Sequence, residues 1–168
     1  MRNSGTSSIP SLWDFSIEIY SRKDVEAACL QLQNINKADI NILLYLLWRA
    51  QSGELLSTED IAEIDLQLVP WRETVVANLR RVRPELKHIN VRISSEVVEE
   101  FRKSVKKLEI SSEELAQDIL LACGQEPRSK KTDVYQASRL NLSAYESFLK
   151  TEFSEVARST VLLALDRI

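Results

Sequence analysis

Residues Ile42 to Trp48 read Ile-Leu-Leu-Tyr-Leu-Leu-Trp, seven apolar side chains in succession. In a helix from about Asp39 to Ser52, Ile40, Leu43, Leu44, Leu47 and Trp48 form one stripe. Ile42, Tyr45 and Leu46 fill much of the opposite side. A helix that is apolar nearly all round must lie at the centre of its fold. The run is far short of the roughly 20 residues that cross a bilayer. This segment therefore predicts a soluble chain folded around a central helix, with Gly53 as its left-handed stop.

The rest of the chain keeps the 3.6-residue period of helices. Gly and Pro number 3 and 4 of 168 residues, and no strand-like alternation extends beyond a few residues around Ile89–Ile93. The predicted fold class is all-α: a single bundle-like domain of about eight helices over residues 11–168. It follows a flexible lead-in at 1–10 and carries an internal loop at 124–132. The first helix spans Ser11 to Tyr20. Ser21 caps the second, with Asp24 in the capping-box position. The fourth starts at Ser57 and ends before Pro70, which suits the first turn of a fifth. Pro84 is expected to end or kink that fifth helix near Arg83. A sixth opens at Ser94 or Ser95. Val97, Val98, Phe101, Val105, Leu108, Leu115, Ile119 and Ala122 share one phase, which favours a single long helix to Cys123. Helices near 133–150 and 153–167 complete the chain. Val156, Val161 and Leu165 would serve either the core or a dimer, so the oligomeric state stays open.

Composition narrows the function classes. A net charge of −3 with 44% hydrophobic residues excludes a disordered chain. Two cysteines, Cys29 and Cys123, exclude a disulfide scaffold and point to a reducing compartment. The N-terminus lacks the apolar core of a signal peptide, so a cytoplasmic location is expected. His88 is the one histidine, the glycines are isolated, and no Glu-x-x-His pair occurs. These counts supply no metal site, no cofactor and no catalytic residue, and the enzyme question leans to no.

Charge is distributed unevenly. Residues 54–65 hold five acids and no base, whereas Arg72 to Lys107 holds ten bases and five acids. Arg80, Arg81, Arg83, Lys87 and Arg92 are the partner-binding candidates, because a local basic face can steer an acidic partner even on an acidic chain. The ordinary alternative is a set of solvated helix faces with internal pairs such as Glu99 and Lys103. The run Arg80–Arg83 is the part least explained by internal pairing. A helix-turn-helix over Thr58–Ile64 and Arg72–Arg81 would present Arg72, Thr74, Asn78 and Arg81 to bases. Its acidic leading helix, its lack of a turn Gly and the long gap at Leu66–Pro70 weigh against it. A third set is the polar cluster Gln33, Asp39, Asn41 and Arg72, with Trp13, Trp48 and Trp71. It reads as a small-ligand pocket or as a hydrogen-bond network that sets helix register.

Several phrases occur in an order known from one family: Leu12-Trp13-Asp14-Phe15, Tyr20, Val25-Glu26-Ala27-Ala28-Cys29-Leu30, Leu32-Gln33, Asp39-Ile40-Asn41-Ile42-Leu43-Leu44, Trp48 and Pro70-Trp71-Arg72. Over residues 12 to about 87 the chain resembles the proteobacterial domain of unknown function 2390 family. It departs at Pro84, where the family's helix continues without proline. The resemblance implies a small soluble bacterial helical protein and brings no activity with it. The expected function is a non-enzymatic cytoplasmic adaptor or regulatory protein that binds an acidic or phosphate-rich partner through the basic stretch. That partner is a protein in the first instance, with no membrane involved. The alternatives are nucleic-acid binding by the same stretch, or a ligand or enzymatic pocket around Asn41 and Arg72.

Overall fold

The computed structural model describes residues 9–123 and 131–167. They are all-α, with no strand among them. The helices are α1 (Leu12–Tyr20), α2 (Val25–Asn36), α3 (Ile40–Ala50), α4 (Thr58–Trp71), α5 (Ala77–Glu85), α6 (Ser95–Cys123), α7 (Val134–Leu149) and α8 (Glu155–Leu163). A π-helical turn, Arg72–Val76, joins α4 to α5, and a 3₁₀ turn, Ala164–Arg167, follows α8. The described residues divide into two compact units, one from 1–62 with 126–168 and the other from 63–125. The expected lead-in at 1–10 and loop at 124–132 fall mostly outside the described residues.

In the first unit, α3 is the axis. Every residue from Ile40 to Ala50 except Trp48 is buried, as an all-round apolar helix requires. Asp39 caps it, its carboxylate accepting from the N–H groups of Asn41 at 2.8 Å and Ile42 at 3.3 Å. Helix α1 packs on α3, α7 packs along α3, and α2 packs against α8. Ser11, Asp133 and Ser154 cap α1, α7 and α8 through their side chains. Ser21 does not cap α2. It closes α1, donating its hydroxyl to Glu18 O at 2.8 Å, and Asp24 precedes α2 in a left-handed conformation with φ 66°. The chain turns too tightly between α1 and α2 for a capping box.

Proline positions differ from expectation in one case. Pro70 lies inside α4 instead of opening a new helix. Proline lacks the N–H that would bond to the carbonyl four residues back. Here that residue is Leu66, which is exposed to water. The ladder then loosens, and Ala77 N–H donates to Arg72 O, five residues back. Pro84 behaves as expected, and α5 stops one residue beyond it.

Helix α6 is a single helix of 29 residues, as its phase predicted. Its buried side is rotated from the sequence stripe. Val105, Ser112, Ala116, Gln117 and Leu120 are buried, whereas Val97, Phe101, Leu108 and Leu115 stand exposed. The C-terminal stripe also divides, with Val161 buried and Val156 exposed, because residues five apart lie about 140° apart on a helix.

Gly53 follows α3 with φ 72°. Its carbonyl accepts from Thr132 N–H at 2.9 Å, beside an isolated antiparallel bridge between Glu54 and Lys131. A Cβ at residue 53 would stand 2.1 Å from the Thr132 carbonyl oxygen. Backbone, not a flexible side chain, would have to move. Gly53→Ala should therefore cost about 2 kcal/mol or more, lowering Tm by about 4–8 °C in a thermal melt. An unchanged Tm would contradict this account of the turn.

Candidate functional site

The polar cluster is the first candidate to place. Asp39, Asn41 and Gln33 belong to the first unit. Arg72 belongs to the second, where its guanidinium pairs with Asp65 at 2.6 Å. Asp39 has structural work: beside its cap, its N–H donates to Tyr145 Oη at 2.7 Å, and the Tyr145 hydroxyl donates to Asp39 O at 3.2 Å. Asn41 is buried in the first turn of α3, and Gln33 is half-buried on α2. Trp48 donates its indole N–H to Pro10 O at 2.8 Å, and Trp71 donates to Ser112 O at 2.9 Å. These indoles hold segments together.

Sequence reasoning missed one polar residue whose amide is bonded through both its oxygen and its nitrogen. Asn141 on α7 is completely buried. It donates to Leu46 O at 3.1 Å and Glu54 O at 3.0 Å, and accepts from Leu56 N–H at 2.9 Å. Nearby, Arg49 is buried, paired with Glu54, bonded to Tyr45 Oη and lying 5.5 Å from that ring's centroid. Asn141 shares the inward phase of Ala137, Leu142 and Tyr145 on α7. A polar residue inside an apolar stripe was the available signal.

Neither cysteine is an activated nucleophile. Burial pushes the Cys29 thiol up to about 12 and raises that of the exposed Cys123 above its ordinary value. Among the described residues no group of His, Cys, Asp and Glu could hold a metal ion.

The basic stretch lies in the second unit, on the antiparallel hairpin of α5 and α6. Two of its members are internally paired. Arg80 meets Glu113, and Arg83 meets Glu109, each at 2.5 Å. Arg80 and Arg83, two of the three arginines in the run, are thus explained by internal pairing, contrary to expectation. Their partners lie some thirty residues downstream, where local charge counting does not look. Arg102 grips Glu99 through two bonds of 2.8 Å, and this holds the Glu99 carboxyl below the usual range. Glu100, not Glu99, is the ion-pair partner of Lys103, at 3.6 Å. The helix-turn-helix also falls, because α4 continues through Leu66–Pro70 where that motif needs its turn.

Once these pairs are set aside, Arg81, Lys87, Arg92, Lys106 and Lys107 make no ion pair with a described residue. Between positions 80 and 107 only Glu85 and Glu96 are acids in the same condition. The segment 86–94, past α5, forms one wall of an open groove of about 760 Å³. Leu86, Ile89, Val91 and Ile93 line it on that side, and Val98, Lys103 and the three glutamates Glu96, Glu99 and Glu100 on the α6 side. Ile89, Ile93, Val97 and Phe101 are each more than half exposed. Large apolar side chains thus stand in water near Lys87, whose charge acts on Glu99, and Arg92, which makes no ion pair with a described residue.

A thiol titration tests the cysteine assignment. One thiol, Cys123, should react with an aromatic disulfide reagent in the native protein, and Cys29 only after unfolding. Two fast thiols in the native state would contradict the burial of Cys29.

A model of the family described as "Protein of unknown function (DUF2390)" matches residues 11–120, and the chain belongs to that family. No curated protein and no solved structure matches the chain. Among the described residues no helix is long and apolar enough to cross a membrane.

Proposed function

From this family membership and the hairpin's surface, we propose that the protein is a non-enzymatic bacterial interaction protein acting in the cytoplasm. Its docking site is the groove between residues 86–94 and the start of α6. Its partner is an acidic protein segment that also carries large apolar side chains.

One observation carries the reading: Ile89, Val91 and Ile93 stand exposed along a groove that Lys87 also lines, with Arg92 on the same segment. Large apolar side chains clustered in water are a marker of binding surfaces. The positive charge of Lys87 and Arg92 would speed encounter and orient the partner. Apolar anchors entering the groove would then supply most of the affinity. Arg81, Lys87 and Arg92 become the working members of the basic stretch. Arg80 and Arg83 hold the hairpin instead.

Peptide selection on the folded chain tests this, with Lys87→Glu/Arg92→Glu as the counter-target. Selected peptides should combine Asp or Glu with large apolar residues. Their binding should weaken with salt and fall at least tenfold, about 1.4 kcal/mol, on the variant. Peptides that bind both chains equally, or retention of nucleic acid alone in a mobility shift, would overturn the reading. Arg80→Ala and Arg83→Ala should behave differently. Each removes a cross-helix ion pair of the hairpin, so Tm should fall while peptide affinity holds. A loss of affinity at unchanged Tm would return these arginines to the docking surface.

A further inference from the structure

We infer that the outer face of α6 pairs with the same face of a second copy of this chain, the two helices antiparallel. The inference does not rest on the docking groove.

Phe101, Leu108 and Leu115 recur every seven residues and are 58%, 58% and 48% exposed. Seven residues are almost two full turns, so the three form a line along the helix. The small Ser104 and Ser111 lie beside that line, where they permit close approach of another helix. Nothing among the described residues of this chain covers the line.

Charge names the occupant. Next to the apolar line, on the side turned away from the buried face, stand Lys103, Lys107, Glu114 and Asp118, all exposed. Lys107, Glu114 and Asp118 form no ion pair with a described residue, and Lys103 reaches only the exposed Glu100 on its own helix, at 3.6 Å. The four are arranged as lysine, lysine, acid, acid, with mirrored spacings about the midpoint between Ile110 and Ser111. Reversing the helix about that midpoint brings Lys103 level with Asp118, and Lys107 level with Glu114. A second antiparallel copy therefore meets each lysine with an acid and each acid with a lysine, four matches by symmetry. In the same register the apolar side chains interleave, and Leu115 of the second copy enters between Phe101 and Leu108 of the first. A parallel copy in register, related by a two-fold along the helix axes, would put the two charged flanks on opposite sides of the pair and gain none of these matches.

Sedimentation equilibrium on the full chain measures the association, and Lys107→Glu and Glu114→Lys test its geometry. Both positions lie outside the docking groove, so failure here leaves that reading untouched. The wild-type mass should rise from 19.2 kDa toward twice that value with concentration. Each variant alone places like charges opposite one another and should weaken self-association by roughly tenfold. An equimolar mixture of the two variants restores opposite charges on both sides and should recover the dimer as a heterodimer. Circular dichroism on each variant reports that the helices are intact. A wild-type mass that stays at 19.2 kDa, variants that dimerise as the wild type does, or a mixture that fails to recover would each overturn the inference.

Discussion

Helix α3 has no side that it can show to water, and that constraint organises the first unit. A helix apolar on one stripe can rest on a single neighbour. One that is apolar all round must be enclosed, and the neighbours that enclose it then need their own fixed places. Enclosure also removes water from polar groups at its ends and along the segment that follows it, and an unpaired buried group costs about 1–3 kcal/mol. The structure meets this with a small set of multivalent side chains. Asp39 closes the start of α3, the Tyr145 hydroxyl ties that start to α7, and Asn141 bonds the carbonyl of Leu46 to the backbone of 54–56. Arg49 neutralises Glu54 under the same cover. Packing and hydrogen bonding are consequently not separable in this unit.

The hairpin of α5 and α6 follows a different logic. Its buried side includes small or polar residues, Ser112, Ala116 and Gln117, and its flank carries cross-helix pairs of Arg with Glu. A narrower apolar interface leaves large side chains over, and these stand in water along the groove and along the outer face of α6. The same scarcity of burial that makes this unit rely on ion pairs also leaves apolar side chains in water, the surfaces on which the proposed partners would dock. Its many charges have two distinct uses, and only three-dimensional pairing separates them.

Much of the fold was legible from periodicity. The centrality of α3, the length of α6, the cap at Asp39 and the stop at Gly53 all follow from local rules acting on strong local signals. The misreadings share another origin. Ser21 and Asp24 fit a capping box in sequence, but the turn between α1 and α2 decides their geometry. Val97 and Phe101 share the phase of Val105 closely enough to look buried, yet the buried side lies a few tens of degrees away. Arg80 and Arg83 looked unpaired because Glu109 and Glu113 are remote in sequence and become neighbours only when the hairpin closes. For the candidate site, sequence marked the basic stretch and missed the groove, since exposed Ile89 and Ile93 resemble ordinary core residues until burial is known.

The π turn at Arg72–Val76 has an implication for how this helix relates to a simpler one. Leu68 and Val76 are both buried, eight residues apart. In an uninterrupted α-helix, eight residues would rotate the second about 80° away from the first, while seven would bring them nearly into line. The wider turn absorbs the one surplus residue and restores the phase. Residues 58–85 thus have the form of a regular helix into which a single amino acid has been added without disturbing what lies on either side. Removing one residue from this turn would keep the same inward face while Pro70 still interrupts the hydrogen-bond ladder, so a length difference of one at this point leaves the burial pattern in phase, as it would not elsewhere along the helix.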